Sequence, residues 1–376
     1  CPAGLLVVSG TAGKSTTTKM LAALLRAHGV RVFTNSSTAN LPQGITSAIL
    51  DQGDARGRID ADIAVIEMDE AHGARLAPQF TARAVVLTNV MLDDLERFQT
   101  MDRVAQMLGE IAERATELVV VNADDASLDA IAGSTSARGV TVGRYGVGQG
   151  VLDEQPHGLG YARVADARLT PADGCLVVDV DGEHAGLQLG GHGIEIDLPS
   201  RGTHFAVDAA AALETARLLL GERFAPATAV AAMNAVEPVF GRGETVTIDG
   251  QQIDFVLVQN TASFQLNLDV VGGSHELLFL AIGEEEHDPS WLWTVHPAAL
   301  GRVDIAAGPK AQDLAVRLLY AGVEVVEVER DLHTAFDRFL AMPTPAGGRK
   351  TAMFTASQMR ELRRVHGLVK AELEGG

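Results

Sequence analysis

A glycine-rich turn near the start of the chain carries residue types that bind nucleotide phosphates. Residues 7–21 read VVSGTAGKSTTTKML, so a short apolar run leads through the turn into a helical pattern. In such a unit the backbone N–H groups and the positive helix end face phosphate oxygens. Lys14 would reach the terminal phosphates, and the Ser15 hydroxyl would hold Mg2+. The candidate nucleotide-binding residues are Gly10, Thr11, Gly13, Lys14, Ser15 and Thr16.

Composition limits the classes of protein to consider. With 376 residues, 47% of them apolar, the chain can bury several cores, which suggests two or three domains. A net charge of -19 argues against nucleic acid as a partner. Two cysteines, Cys1 and Cys175, indicate a reducing compartment. No apolar run approaches the ~20 residues of a membrane span, and no signal peptide precedes the first strand, so we expect a cytoplasmic protein.

The elements that must position the turn alternate between strands and helices. Apolar runs at 5–8, 63–66, 84–87 and 118–121, with a helix over 15–28, predict a parallel sheet covered by helices on both faces. Residues 151–200 have short alternating segments with Asp-Gly turns, which predict a small β-rich insertion or subdomain of antiparallel hairpins. A second alternation begins near residue 245. We therefore expect an ATP-binding α/β domain over 1–243 and a second α/β domain over 244–376.

The spacing of the glycines in the turn indicates which family of nucleotide-binding proteins it resembles. The common phosphate loop has a glycine five residues before Gly13, where this chain has Val8. The shorter pattern G-T-x-G-K-[ST]-T-T resembles the Mur ligases and folylpolyglutamate synthetases, which use ATP to activate a carboxylate. That resemblance implies a Mur ligase-like central P-loop ATPase domain, followed by a Rossmann-like α/β C-terminal domain.

Four further segments match the family in order. In AVIEMDEAH, Glu67 ends a strand and is implied to be a Mg2+ ligand, although an ordinary acidic loop is the alternative. LTNVMLDDLERF resembles an Asn-x-x-x-Asp-His-x-Asp stretch, which places Asn89 near the nucleotide and Asp94 where a metal-binding histidine is usual. VVNADD matches an Asn-Ala-Asp-Asp turn and implies a nucleotide contact for Asn122. FGRGE matches a Gly-Arg-x-Glu element, whose Arg242 is implied to touch the nucleotide during catalysis.

One branch of the family is the best match. TNSSTANLPQGI, DPSWLW, AGPKAQDLAVRLLYAGV and FTASQMRELRR resemble the MurT subunits of lipid II isoglutaminyl synthases. This implies ATP-dependent amidation of the α-carboxylate of D-glutamate in the lipid II stem peptide, at the inner face of the membrane. Ammonia would come from a GatD-like glutaminase in a heterodimer. Asp288 stands where the branch has an aspartate that orients the histidine of the partner's Cys-His pair.

The chain also departs from this pattern. Many MurT proteins carry a four-cysteine zinc ribbon, but here Cys175 stands alone and the histidines between 157 and 204 lack zinc spacing, so no zinc site is expected. Residues 201–213 have Phe205 and Asp208 where two asparagines usually lie near the adenine. Adenine would then stack on Phe205, or nucleotide binding would be weakened.

Three functions stay open at this point. The first is the ATP-dependent subunit of a glutamine amidotransferase. The second is a self-sufficient Mur-type ligase, which is disfavoured because none of the five lysines, including Lys14, lies in the middle of the central domain for carbamylation. The third is a degenerate ATP-binding scaffold, favoured by Asp94, Phe205 and Asp208 but opposed by the intact Lys14, Ser15 and Glu67.

Overall fold

A computed structural model describes most of the chain. The described residues are 1–35, 42–54, 56, 58–91, 100–161, 173–239, 241–258, 260–272, 277–284, 289–346 and 349–368. Packing divides the chain into two units, Cys1–Glu237 and Pro238–Gly375. The division falls a few residues before the predicted boundary at 243. Each unit is built on its own sheet.

The first unit contains, among its described residues, a nine-stranded sheet. Its spatial order is β2-β3-β1-β4-β5-β6-β7-β8-β9, with parallel pairing from β2 to β7 and antiparallel pairing from β7 to β9. The strands are β1 (Leu5–Ser9), β2 (Val32–Thr34), β3 (Ile63–Glu67), β4 (Ala82–Leu87), β5 (Ala115–Asn122), β6 (Thr141–Val147), β7 (Cys175–Asp181), β8 (His184–Leu189) and β9 (His192–Asp197).

The strand order changes direction at β1. The chain goes from β1 outward to β2, returns to β3, and then crosses to β4 on the other side of β1. At such a switch point the loops after neighbouring strands diverge and leave a crevice at the carboxyl ends, where open α/β sheets bind ligands. The predicted phosphate loop follows β1, Glu67 ends β3, and Asn89 follows β4, so all three lie at this edge.

Helices cover the sheet on both faces. They are α1 (Lys14–Ala27), α2 (Pro42–Gln52), α3 (Glu70–Leu76), α4 (Met101–Ala112), α5 (Ala126–Ala137), α6 (Gln149–Asp153), α7 (Thr203–Leu220) and α8 (Pro226–Asn234), with short 3-10 turns at Ala77–Gln79 and Gly221–Arg223. Helix α7 packs on α1 and on β5 to β7. Its alanines at 206, 209, 210, 211, 212 and 216 are fully buried, and small side chains let this helix approach its neighbours closely.

The segment predicted as a β-rich insertion forms β7, β8 and β9. They are antiparallel hairpins, as the Asp-Gly turns indicated, and the turn at Gly182 has the left-handed φ of 60° that such a turn requires. These strands do not stand apart from the main sheet, because β7 pairs with β6 in parallel and continues it. Residues 162–172 lie outside the described part.

The second unit has a six-stranded sheet among its described residues, in the order β10-β11-β15-β12-β13-β14. Among the described strands of this unit, only β10 and β11 pair antiparallel. The strands are β10 (Arg242–Ile248), β11 (Gln251–Leu257), β12 (Leu278–Ala281), β13 (Arg302–Ala307), β14 (Glu324–Glu329) and β15 (Arg349–Phe354). The helices are α9 (Thr261–Val271), α10 (Ala311–Tyr320), α11 (Leu332–Ala341) and α12 (Ala356–Val365), with 3-10 turns at Pro289–Thr294 and Pro297–Leu300.

Two apolar cores sandwich this second sheet. Phe264, Leu268, Leu314 and Leu318 from α9 and α10 contribute to one core. The other core contains residues of α11 and α12, among them Phe336, Phe339, Met359 and Leu362. The predicted α/β fold class is therefore confirmed, with a parallel-dominated sheet in each unit. None of the helices in the described ranges is long and apolar enough to cross a membrane.

Candidate functional site

Two glycines give the loop after β1 its shape. Gly10 has φ 137° and Gly13 has φ 80°, which are conformations that residues with a side chain rarely adopt. A Cβ at Gly10 would lie 2.1 Å from Thr88 Oγ1, and a Cβ at Gly13 would lie 2.1 Å from Asp208 Oδ1. Both positions therefore exclude a side chain, because the loop passes directly against the residues around it.

Lys14 begins α1 and its ammonium is turned back onto the loop. Nζ donates to Gly10 O at 2.5 Å and to Thr11 O at 2.9 Å. It also lies 3.3 Å from Glu70 Oε2, a buried carboxylate at the first position of α3. The lysine is thus at the predicted place, and its ion pair with Glu70 is a contact that the loop motif alone does not indicate.

Ser15 and Glu67 lie together and are both buried. The Ser15 hydroxyl donates to Glu67 Oε1 at 3.0 Å. Two ligands at adjacent corners of an octahedral Mg2+ shell, with bonds of 2.0–2.1 Å, also lie about 3 Å apart. Because both donors are oxygens at that separation, the pair fits two positions of a Mg2+ shell, with phosphate oxygens and waters in the others. In the described ranges no group of three or more His, Cys, Asp and Glu side chains could hold a metal.

Asn35 fixes the backbone of Glu67. Its Nδ2 donates to Glu67 O at 3.0 Å, and its Oδ1 accepts from Glu67 N at 2.9 Å. Asn35 follows β2, which pairs with β3, so the amide links the ends of two adjacent strands. It belongs to the TNSSTANLPQGI segment, whose residues 36–41 lie outside the described part. Holding the backbone at residue 67 in turn holds its carboxylate toward Ser15.

Asn89 binds the loop itself. Oδ1 accepts from Ala12 N at 2.9 Å, and Nδ2 donates to Ala12 O at 3.2 Å. Thr11 N donates to Asn89 O at 3.1 Å, while Thr11 Oγ1 accepts from Met91 N at 3.1 Å. These bonds join the loop to the chain after β4. Asn89 therefore shapes the phosphate loop, and its predicted contact with the nucleotide stays a prediction.

The Asn-Ala-Asp-Asp turn after β5 is a buried hydrogen-bond network. Asn122 Oδ1 accepts from Asp124 N at 3.0 Å, and Asp125 accepts from Val90 N at 2.7 Å. Asp125 also caps α5 through Ser127 N. Burial raises the pKa of Asp125 from 3.8 to about 6, against the lowering effect of the backbone donors. The Nδ2 of Asn122 has no hydrogen-bond partner among the described residues, but Asn122 is fully buried, so its predicted contact with the nucleotide stays a prediction.

Helix α7 supplies the two residues that replace the expected asparagines. Asp208 lies against Gly13, which places a carboxylate beside the first turn of α1. Phe205 is 3% exposed, and its ring lies 4.3 Å from the ring of His204, centroid to centroid. Stacking of adenine on Phe205 stays a prediction, and it would require the Phe205 ring to be uncovered.

In the second unit, Arg242 is the first residue of β10. Gly241 and Gly243 flank it with left-handed φ of 67° and 72°. Glu244 Oε2 accepts from Gly241 N at 3.2 Å and from Arg363 Nη1 at 2.9 Å, so the glutamate of the Gly-Arg-x-Glu element holds the turn. The predicted role of Arg242 at the nucleotide stays a prediction. Asp94 and Asp288 lie outside the described residues.

The fold and site define the class of protein. The family model of the Mur ligase middle domain matches residues 8–216, more than half of the chain. The chain belongs to the Mur ligase family. MurF ligase from Thermotoga maritima, solved in complex with ADP, has the same fold with a TM-score of 0.69. The two chains are 18% identical, and the superposition covers 99% of this chain and 80% of that one.

Within the family the chain is similar to MurT, a subunit of lipid II isoglutaminyl synthase. It is 24% identical over 362 residues to the subunit of Streptococcus pneumoniae, covering 85% of this chain and 77% of that one. It is 32% identical over 121 residues to the subunit of Staphylococcus aureus strain COL. The second match covers 32% of this chain and spans only about a quarter of the relative's length, 27%.

Proposed function

We propose that this chain is the ATP-dependent subunit of a two-subunit glutamine amidotransferase. Its substrate is the α-carboxylate of D-glutamate in the stem peptide of lipid II, which it converts to the amide. The partner is a GatD-like glutaminase that supplies ammonia. The proposal is supported by the similarity to the MurT subunit of Streptococcus pneumoniae, which covers 85% of the chain.

The observation that carries the proposal is the arrangement of Lys14, Ser15 and Glu67. The first two begin α1 directly after the glycine loop, and Glu67 ends the neighbouring strand β3 with its carboxylate 3.0 Å from Ser15 Oγ. This combines a lysine ammonium, a helix N-terminus and an oxygen pair at one sheet edge. These are the groups that bind the phosphates of ATP and its Mg2+.

The residues act by position and charge. A carboxylate resists attack because its negative charge repels nucleophiles. An oxygen of the substrate carboxylate therefore attacks the γ-phosphorus, and the bond from that phosphorus to the bridging oxygen of ADP breaks. Ammonia then attacks the carbonyl carbon of the acyl phosphate, and phosphate leaves with the former carboxylate oxygen. Lys14 and the N–H groups at the start of α1 stabilise the charge on the phosphoryl oxygens.

The metal would be held by Ser15 and Glu67. Mg2+ supplies positive charge that offsets the developing negative charge on the phosphates. Asn35 keeps Glu67 in place through its two backbone hydrogen bonds. Asn89 keeps the phosphate loop in place through hydrogen bonds to the backbone N and O of Ala12. The chain thereby holds the reacting groups in one geometry, which lowers the entropic cost of the reaction.

The second unit has a surface suited to a protein partner. Trp293 and Tyr320 are 50% and 80% exposed, and their rings pack edge to face at 5.5 Å. The Arg317 guanidinium lies over the Trp293 ring, also at 5.5 Å. Tryptophan, tyrosine and arginine dominate the binding energy of protein interfaces. Trp293 follows Asp288 by five residues in the sequence, while Arg317 and Tyr320 belong to α10, and the cluster supports a protein partner for this unit.

A first experiment tests the ATP site. Lys14→Met keeps the apolar stem of the side chain and removes the ammonium. We expect loss of substrate-dependent ATP hydrolysis, because the variant lacks the charge that meets the terminal phosphates. Lys19→Met, which removes a lysine from the same helix, is the matched control and should keep its activity. Equal turnover in the two variants would exclude the loop assignment.

A second experiment tests the partner. Asp288→Asn should suppress glutamine-dependent amidation in the complex and leave amidation from added ammonium nearly intact. The physical reason is that a carboxylate on one imidazole nitrogen fixes the tautomer and stabilises the imidazolium of the partner's Cys-His pair. Asp313→Asn, an exposed aspartate on α10, is the matched control. Equal loss with both nitrogen sources would place Asp288 in the ATP chemistry or in the fold.

A degenerate ATP-binding scaffold is the second candidate. It is favoured by the Asp208 carboxylate against Gly13 and by the covered ring of Phe205. A carboxylate beside a phosphate loop repels the phosphates of a nucleotide. A chain that no longer hydrolyses ATP could keep such a carboxylate without loss of function. Substrate-dependent ATP turnover that is lost in Lys14→Met would exclude this candidate, whereas nucleotide binding without turnover would favour it.

A further inference from the structure

The ion pair between Lys14 and Glu70 lies inside the phosphate loop. Nζ is 3.3 Å from Glu70 Oε2, and the carboxylate side chain is 1% exposed. The same ammonium donates to Gly10 O and Thr11 O. An ammonium has three N–H donors, and these three acceptors are enough to use them. For Lys14 to donate to a triphosphate, it must give up at least one of the three.

Glu70 is the acceptor that phosphate oxygens displace most directly. The Glu70 carboxylate and the phosphate oxygens are both anionic, so they compete for the Lys14 ammonium. The loop carbonyls are neutral and compete less. The contact with Glu70 is also the longest of the three. A buried carboxylate that gives up an ion-pair contact loses favourable interaction energy. Nucleotide binding is therefore opposed unless another cation enters with the phosphates.

The structure places the site for that cation on the same two segments. Lys14 and Ser15 are consecutive on α1, while Glu67 and Glu70 are three residues apart where β3 leads into α3. The contacts Lys14–Glu70 and Ser15–Glu67 therefore run side by side. A divalent cation held at Ser15 and Glu67 brings positive charge to the segment from which the lysine withdraws.

We propose that Glu70 is a positioning residue that makes nucleotide binding depend on Mg2+. It holds Lys14 against phosphates that arrive without a divalent cation, and it releases the lysine when Mg2+ and nucleotide arrive together. The loop thereby selects the Mg2+ complex of a nucleotide over the free nucleotide. The inference rests on the proposed function, since it assumes that the loop binds ATP and ADP.

The test is the affinity for ADP, measured by titration calorimetry with saturating Mg2+ and again with EDTA. Glu70→Gln keeps the size and a hydrogen-bond acceptor but removes the charge. We expect its affinity for ADP in EDTA to rise about tenfold, the size of one charge-assisted contact, with a change of at most about threefold in Mg2+. The proposal requires a large ratio of the two affinities in the wild type, and this ratio should therefore fall by about the same tenfold in the variant.

Glu113→Gln is the matched control. It removes the same charge from an exposed glutamate, 62% exposed, that precedes β5 at the opposite edge of the sheet. Its ratio of affinities should equal that of the wild type. Glu70→Asp keeps the charge on a shorter side chain and should restore most of the Mg2+ dependence. It also keeps the test available if Glu70→Gln fails to fold, because a tenfold fall of the ratio in this charge-retaining variant would overturn the proposal.

The outcomes separate this inference from the function on which it rests. A wild-type chain that binds ADP under neither condition contradicts the proposed ATP site itself. A wild-type chain that binds ADP, with the same ratio of affinities in Glu70→Gln, overturns the role of Glu70 and leaves the ATP site standing. Equal weakening of both affinities in Glu70→Gln also overturns it, since Glu70 would then build the loop without competing for Lys14.

Discussion

Gly13→Ala tests how the phosphate loop is packed. The added Cβ must adopt φ 80°, which costs an L-residue about 1–2 kcal/mol. It must also move Asp208, whose Oδ1 would otherwise lie 2.1 Å from the new carbon. Overpacking of this kind typically costs about 1–3 kcal/mol. We therefore expect the first unit to lose about 2–5 kcal/mol of unfolding free energy.

The two costs can be separated by a double-mutant cycle with Asp208→Ala. Without the Asp208 carboxylate only the backbone cost remains, so Gly13→Ala should cost about 1–2 kcal/mol in that background. Urea unfolding followed by far-ultraviolet circular dichroism reports on the helices of both units. The chain's two tryptophans, Trp291 and Trp293, belong to the second unit, so the transition in their fluorescence is an internal control and should not shift.

Two results would refute this reasoning. If Gly13→Ala costs the same with and without the Asp208 carboxylate, then Asp208 does not lie against the loop. If it costs less than about 0.5 kcal/mol, the scatter of ordinary surface substitutions, then residue 13 does not have a left-handed backbone. A shift in the tryptophan transition would show that the substitution acts on the second unit as well.

Three further predictions concern buried groups. Phe205→Ala should lower the unfolding free energy of the first unit by about 3–5 kcal/mol, as for other buried aromatics; a weaker ADP affinity of the folded fraction without this loss of stability would instead favour adenine stacking. Because burial raises the pKa of Asp125 to about 6, the folded state keeps this proton between about pH 4 and 6, where the unfolded state has lost it. The stability of wild type relative to Asp125→Asn should therefore fall by about 1 kcal/mol from pH 5 to pH 7, and a constant difference in urea unfolding would contradict the shift. Lys350→Met should destabilise the second unit by about 2–4 kcal/mol in the tryptophan-monitored transition, since Lys350 Nζ donates to Phe339 O, Leu340 O and Met342 O in a buried site; an unshifted transition would be inconsistent with those bonds.

The sequence predicts the phosphate loop and the strand ends around it because these features depend on short stretches of neighbouring residues. An apolar run that ends in Gly-Thr-Ala-Gly-Lys-Ser allows few backbone paths, and the helix it predicted at 15–28 is α1. The sequence predicts Glu67 at a strand end beside the phosphate loop because parallel strands end at the same edge, and Glu67 ends β3 with its carboxylate 3.0 Å from Ser15 Oγ, while its role as a metal ligand stays a prediction. The alternation of strands and helices was enough to predict the α/β class.

Local sequence patterns do not predict contacts between residues that are far apart in the chain. The Lys14–Glu70 pair and the approach of Asp208 to Gly13 join segments far apart in the chain, and no local pattern fixes which side chains meet. Asn35 belongs to the TNSSTANLPQGI segment, which resembles MurT subunits. Its hydrogen bonds to the backbone of Glu67 depend on the pairing of β2 with β3, which that resemblance does not indicate. The continuation of the sheet through β7 likewise depends on its pairing with β6.

We propose that this chain activates a carboxylate as an acyl phosphate. The most direct test uses a stem-peptide substrate whose D-glutamate α-carboxylate carries oxygen-18, with ATP, Mg2+ and ammonium. If the carboxylate attacks the γ-phosphorus, one labelled oxygen leaves with phosphate when ammonia attacks, so the released phosphate carries a single label in proportion to the amide formed. Phosphate released without label, or ATP hydrolysis that produces no amide, would contradict the claim.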